Sequence, residues 1–117
     1  MKTMRLNATT DGSGDATTNG GHSINGVLYA VQWIDGDFAD GVDAVISTQG
    51  ADASGTLLTL TDANDDDWYY VREPTHDNIG TADGDTTLPV AVGTPRLVIS
   101  SGGDTKTGGC ILYYTEL

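Results

Sequence analysis

Six Asn-Gly or Asp-Gly dipeptides punctuate this 117-residue chain: Asp11-Gly12, Asn19-Gly20, Asn25-Gly26, Asp35-Gly36, Asp40-Gly41 and Asp83-Gly84. Such pairs tolerate the positive φ angles that tight hairpin turns demand. Only short segments fit between them, and those segments read as strands. Thr3–Thr9 alternates, with Met4, Leu6 and Ala8 on one face. Further strands are expected over Asp15–Thr18, Val27–Ile34, Val42–Thr48, Thr56–Thr61, Trp68–Arg72, Leu88–Val92, Arg96–Ser101 and Cys110–Thr115. Eight or nine short strands with turn signals about every ten residues predict an all-β chain. The expected architecture is a two-sheet antiparallel β-sandwich, jelly-roll-like in type, with residues 1–117 forming one domain.

Composition agrees. The 17 Thr, 16 Gly and 15 Asp favour strands and turns over helix. No window holds helical periodicity over ten residues, and the acidic stretch Ile34–Asp43 has room for a single turn. Three connections can be anticipated. The Asp11–Gly14 turn predicts that the first two strands form a hairpin. Pro89 pushes Leu88–Val92 toward a sheet edge, because proline cannot donate to a ladder. Glu73–Thr87 is left as a long loop, of the kind that tends to be functional or mobile.

Five basic residues against seventeen acidic ones give a net charge of −12. So few cations cannot bind nucleic acid through its phosphates, and an anionic membrane surface would repel the chain. The longest apolar run, Val27–Val31, is far too short to span a bilayer. No basic stretch followed by an apolar one opens the chain, so Sec export is not expected. Cys110 is the single cysteine and has no partner for an internal disulfide.

Three strands are apolar on both faces. Val27, Tyr29, Val31 and Trp33 alternate with Leu28, Ala30 and Ile34. Trp68 and Tyr70 oppose Tyr69 and Val71, and Cys110, Leu112 and Tyr114 oppose Ile111 and Tyr113. A sheet face without helices needs some other cover. Loops such as Glu73–Thr87 could supply it, or a second protein chain could. Seven of the eight aromatics sit on these strands, and interfaces are enriched in aromatics. Tyr29, Trp33, Trp68, Tyr69, Tyr70, Tyr113 and Tyr114 are therefore the candidate interface residues.

Catalytic and metal-binding patterns are sparse. Asp35, Asp37, Asp40 and Asp43 crowd a short window, yet they miss the EF-hand spacing and lack its closing Glu. They are weak calcium candidates beside the plainer reading of Asp side chains capping local N–H groups. Asn64–Asp67 reads the same way. His22 and His76 have no Cys or His at ligand spacing. Ser23, His76 and an Asp could be assembled into a triad only on paper, since no G-x-S-x-G turn occurs. Cys110 reads as a buried, inert thiol. Ser100–Gly109 is glycine-rich, but its Lys106 precedes a strand rather than a helix, so it reads as a hairpin loop rather than a phosphate loop. Asn7-Ala8-Thr9 matches a glycosylation sequon inside a strand. Neither a cofactor nor an enzymatic activity is implied.

The segments RLNATTDGSGDAT (5–17), NGVLYAVQWIDGDFADGVDAVIS (25–47), LLTLTDANDDDWYYVRE (57–73) and LVISSGGDTKTGGCILYY (97–114) together resemble small structural proteins of tailed bacteriophages. The resemblance implies a virion component, best matched by a capsid decoration or cement protein. Such a protein binds the outer face of the major capsid protein shell and clamps its subunits. It implies dimers or trimers, synthesis in the host bacterial cytoplasm and a final place on the capsid surface. A head–tail connector or tail component is the alternative within the virion. A receptor- or carbohydrate-binding module stacking sugars on Trp33, Trp68 or Tyr69 is the alternative from another class.

Overall fold

The computed structural model describes residues 1–50 and 55–117, and it is all-β, with no helix among the described residues. Among the described residues ten strands follow in order: β1 (Lys2–Thr9), β2 (Ala16–Asn19), β3 (Ile24–Ile34), β4 (Asp43–Gln49), β5 (Gly55–Leu60), β6 (Asp67–Tyr69), β7 (Glu73–His76), β8 (Ala82–Thr87), β9 (Val90–Ser100) and β10 (Thr107–Glu116). Eight of them make one antiparallel sheet in the order β1-β10-β3-β9-β4-β5. Off that path β2 pairs with β9 and β6 with β3, while β7 and β8 form a separate two-stranded sheet.

Strand β9 joins the two halves of the large sheet. Val90–Gly93 pair with β3, and Thr94–Ser100 pair with β4. The change of partner falls at Gly93, whose φ is +118°. A Cβ there would lie 2.6 Å from the Gln49 carbonyl oxygen, so the site accepts only glycine. The inward side chains of both halves then share one core. Leu6, Leu28, Val31, Trp33, Leu112 and Tyr114 come from β1, β3 and β10, and Ile46, Leu97 and Ile99 from β4 and β9.

Several expectations need correction. The first two strands are not a hairpin: β1 pairs with β10 along its whole length, and β2 pairs with β9. The Asp11 carboxylate accepts N–H bonds from Ser13 and Asp15, and the turn it organises carries the chain from one half of the sheet to the other. Asn25-Gly26 is not a turn but lies within β3. A Cβ on Gly26 would run into the Thr115 carbonyl, so glycine serves close strand approach there. Pro89 does not mark an edge. It precedes a central strand, and its carbonyl accepts the Leu28 N–H at 3.1 Å. The segments Leu88–Val92 and Arg96–Ser101 merge into β9. Glu73–Thr87 is a β-hairpin rather than a loop, closed at its tip by the Asp77 carboxylate, which accepts N–H bonds from Ile79 and Thr81.

The largest correction concerns β3. Against β10, Tyr113 pairs with Ala30 but Tyr114 pairs with Leu28, so Tyr29 is the extra residue of a β-bulge. The bulge resets the side-chain alternation. Leu28 faces the core before it, and Val31 and Trp33 face the core after it. Tyr29 is left on the outside, not on the same face as Val31 and Trp33.

Candidate functional site

The seven aromatic candidates divide into two groups. Trp33 is 0 % exposed and Tyr114 1 %, so neither can meet a partner. Trp33 donates its indole N–H to the Ala63 carbonyl at 2.9 Å and stacks on Phe38, centroids 5.8 Å apart. Tyr69 is half-buried and packs against the core, where burial and then the Asp67 charge push its phenol pKa up. The remaining four, Tyr29, Trp68, Tyr70 and Tyr113, come together on the outer face of the half-sheet formed by β1, β10, β3 and β6.

Strand register builds this cluster. Trp68 lies opposite Gln32 and Tyr69 opposite Val31, so Trp68 points outward as Tyr69 points in. Tyr113 lies opposite the outward Ala30. The bulge adds Tyr29 to the same side. Trp68 and Tyr70 are stacked, centroids 6.4 Å apart and planes within 11°, and Trp68 meets Tyr113 at 5.0 Å. The Tyr113 hydroxyl hydrogen-bonds the Gln32 amide oxygen at 2.9 Å, which fixes its ring. Trp68 remains 43 % exposed and Tyr70 72 %. Together with Met1 and Ala30 these rings line an open, almost wholly apolar depression of about 360 Å³. Such a surface can bury apolar area and stack flat groups, but it presents no nucleophile or acid–base pair.

The acidic end of the molecule is differently built. Asp37 accepts the Thr107 N–H at 2.6 Å, a bond that holds its carboxyl pKa down. Asp43 accepts the Asp62 N–H, and Asp66 accepts that of Asp35. Two of the four calcium candidates thus cap backbone donors. Asp35 differs: one of its oxygens is buried with no hydrogen-bond partner. Burial first, then the charges of Asp66, Asp40, Asp65 and Asp37, raise its pKa. Among the described residues, no three His, Cys, Asp or Glu side chains converge as a metal site would require.

The remaining candidates are dispersed. Cys110 is buried, and burial pushes its thiol up to about 12, far from thiolate chemistry at neutral pH. The Ser23 hydroxyl pairs with that of Thr94 at 3.4 Å, while His76 sits on the β7–β8 hairpin. The glycine-rich stretch Ser100–Gly109 connects β9 to β10 and is pinned by Thr10, whose hydroxyl bonds the Gly103 carbonyl. No hydrophobic alternation marks the hairpin arm, because polar residues fill most of both its strands. The tip turn runs over Asp77-Asn78-Ile79-Gly80, while the Asp83-Gly84 dipeptide lies inside β8 rather than at a turn. Comparison with protein-family models, with curated proteins and with solved structures finds no match to this chain.

Proposed function

We propose that this chain is a non-enzymatic structural protein of a tailed-bacteriophage virion, a decoration or cement protein that binds the major capsid protein shell and stabilises the head. One observation carries the assembly part of this reading: a cluster of four outward aromatic rings, Tyr29, Trp68 and Tyr70 exposed and Tyr113 half-buried, on one sheet face of a strongly acidic chain. Contiguous apolar patches of this kind mark interaction sites more often than catalytic ones. The phage part rests on the resemblance of the four sequence segments. We read the fold as sandwich-like, of jelly-roll type, its two half-sheets packed on the shared core.

In this role the protein adds buried area across shell joints, and many weak copies at symmetry-related places gain from multivalency. The projecting β7–β8 hairpin offers reach to a neighbouring subunit. Cryo-electron microscopy of virions from the encoding phage tests the proposal. Density for this fold on the shell, in hundreds of copies, supports it, and absence of the protein from the particle defeats it. A count of a few to a dozen copies at the portal or tail moves the protein to the connector reading. The near-parallel, exposed rings of Trp68 and Tyr70 also suit a sugar-stacking role. Binding of the isolated protein to host-surface glycans, lost in Trp68→Ala, favours that second reading.

A further inference from the structure

The outer face of β1, β10, β3 and β6 is set apart by charge as well as by its aromatics. Its outward positions include Thr3 and Arg5 on β1, Ile111 and Tyr113 on β10, Gln32 on β3 and Trp68 on β6. None of the residues that these four strands turn outward is acidic. The strands carry two carboxylates, Asp67 and Glu116. Both fall on the alternate side, and Glu116 is held by the Lys2 ammonium at 2.9 Å.

That distribution matters because the chain carries −12. Two copies that approach through the acidic loops or the hairpin arm bring carboxylates against carboxylates. Like charges set against each other at an interface cost several kcal/mol in general. On this face, which turns no carboxylate outward, a second copy meets no such penalty. The face also holds the four outward rings, three of them exposed, whose area is large for little rotamer entropy.

We propose that two copies of this chain pair face to face through this surface, about a two-fold axis that sets Trp68 and Tyr70 of one against Tyr29 and Tyr113 of the other. The inference rests on the aromatic face being a contact surface, and it adds the identity of the occupant. Size permits the pairing. Three strands about 4.8 Å apart and about 30 Å long, with the three residues of β6 beside them, make a face on the order of 450–500 Å², smaller than the ~800 Å² per partner of a standard interface and of the size of weak, transient ones. Contacts of this size belong to weak, reversible associations, so the dissociation constant is expected in the micromolar range or above.

Salt gives the pairing a distinctive sign. Here charge opposes association, so screening strengthens it. A basic partner held by charge complementarity behaves in the opposite way. Sedimentation equilibrium on the isolated full chain, from about 1 μM to about 1 mM, should show a monomer–dimer equilibrium whose dissociation constant falls as NaCl rises. Tyr70→Glu is the decisive variant. Tyr70 lies just past the last residue of β6 and is 72 % exposed, so the substitution does not disturb the core. A two-fold axis places the new carboxylate in the interface twice, and the dissociation constant should rise at least 100-fold. Ile79→Glu puts the same charge at the 83 % exposed tip of the hairpin and should change it less than threefold.

A monomer throughout the range overturns the pairing. So does a dimer that Tyr70→Glu leaves intact, one that Ile79→Glu dissolves equally, or one that weakens with salt. These readouts are independent of the virion. A chain that pairs but is absent from particles defeats only the capsid reading, and a shell protein that stays monomeric defeats only the pairing.

Discussion

The two tryptophans show how far apart two residues of one type can stand. Trp33 fills the core, bonded to the Ala63 carbonyl and stacked on Phe38, whereas Trp68 lies open on the outer face. Removing a buried tryptophan side chain costs roughly 3–5 kcal/mol, so Trp33→Ala should lower the urea midpoint steeply. In dilute monomer Trp68→Ala should cost less than about 1 kcal/mol. Equal losses for the two would contradict the β3–β6 register, which sets Trp68 opposite Gln32 and so on the face away from Trp33. Asp35 offers a second test, by pH. Its folded pKa is raised, so the protonated carboxyl is the form the fold favours. That contribution is fully present below the unfolded carboxylate pKa and is lost as pH rises through the folded value. At neutral pH the ionised group sits among Asp66, Asp40, Asp65 and Asp37 with one oxygen unpaired, and Asp35→Asn removes the repulsion. The variant should melt a few degrees higher at pH 7, a gain of about 0.5–1 kcal/mol, and the gain should vanish below about pH 4. An unchanged melting temperature at pH 7 would show the carboxylates to be screened.

At the level of elements, alternation was legible wherever a strand keeps one register. The inward set Met4, Leu6 and Ala8 can be read directly from β1, as can the opposition of Cys110, Leu112 and Tyr114 to Ile111 and Tyr113 on β10. Alternation could not reveal the Tyr29 bulge. An extra residue inside a uniformly apolar run leaves no polar marker of the change of face, so Trp33 looked as available as Tyr29. Turn dipeptides misled where glycine serves close strand approach, as at Gly26. The β7–β8 hairpin was invisible for the opposite reason: it buries almost nothing, and no hydrophobic pattern was needed to write it. Only Thr75 among residues 73–87 is even half-buried, and its hydroxyl donates to the Asp83 carboxylate. The arm is tied at its base by Arg72, which donates from Nε to the Thr86 hydroxyl and from its terminal nitrogen to the Thr86 carbonyl. Stability should therefore be unequal along the chain. In hydrogen exchange, arm amides should lose protection well before those of β3 and β10. Replacing residues 74–86 by a two-residue turn should leave the unfolding free energy of the remainder within about 0.5 kcal/mol. A larger loss would mean that the arm braces the body it projects from.

For the whole molecule, the arrangement of the core decides which surface is left over. Large side chains are concentrated where the two half-sheets meet, while four aromatic rings lie outside on a face without outward carboxylates. The extents of 48 × 28 × 25 Å belong to an elongated body, which exposes much surface for its volume. Such a molecule has stability to gain from covering one face, and that gain is measurable without knowing the assembled state. If copies pair, native protein is stabilised by mass action, by about 1.6 kcal/mol per protomer at a total protomer concentration a hundred times the dissociation constant, where most of the chain is in the pair. The melting temperature should then climb on the order of 5–10 °C between dilute and concentrated protein. In Tyr70→Glu the climb should disappear, while the dilute-limit melting temperature stays that of the parent chain. Added salt should raise both proteins through relief of self-repulsion among their carboxylates, but it should raise the concentrated parent most, because screening also tightens its pairing. Parallel salt responses in parent and variant at every concentration would mean that the aromatic face adds nothing to the stability of this chain in solution.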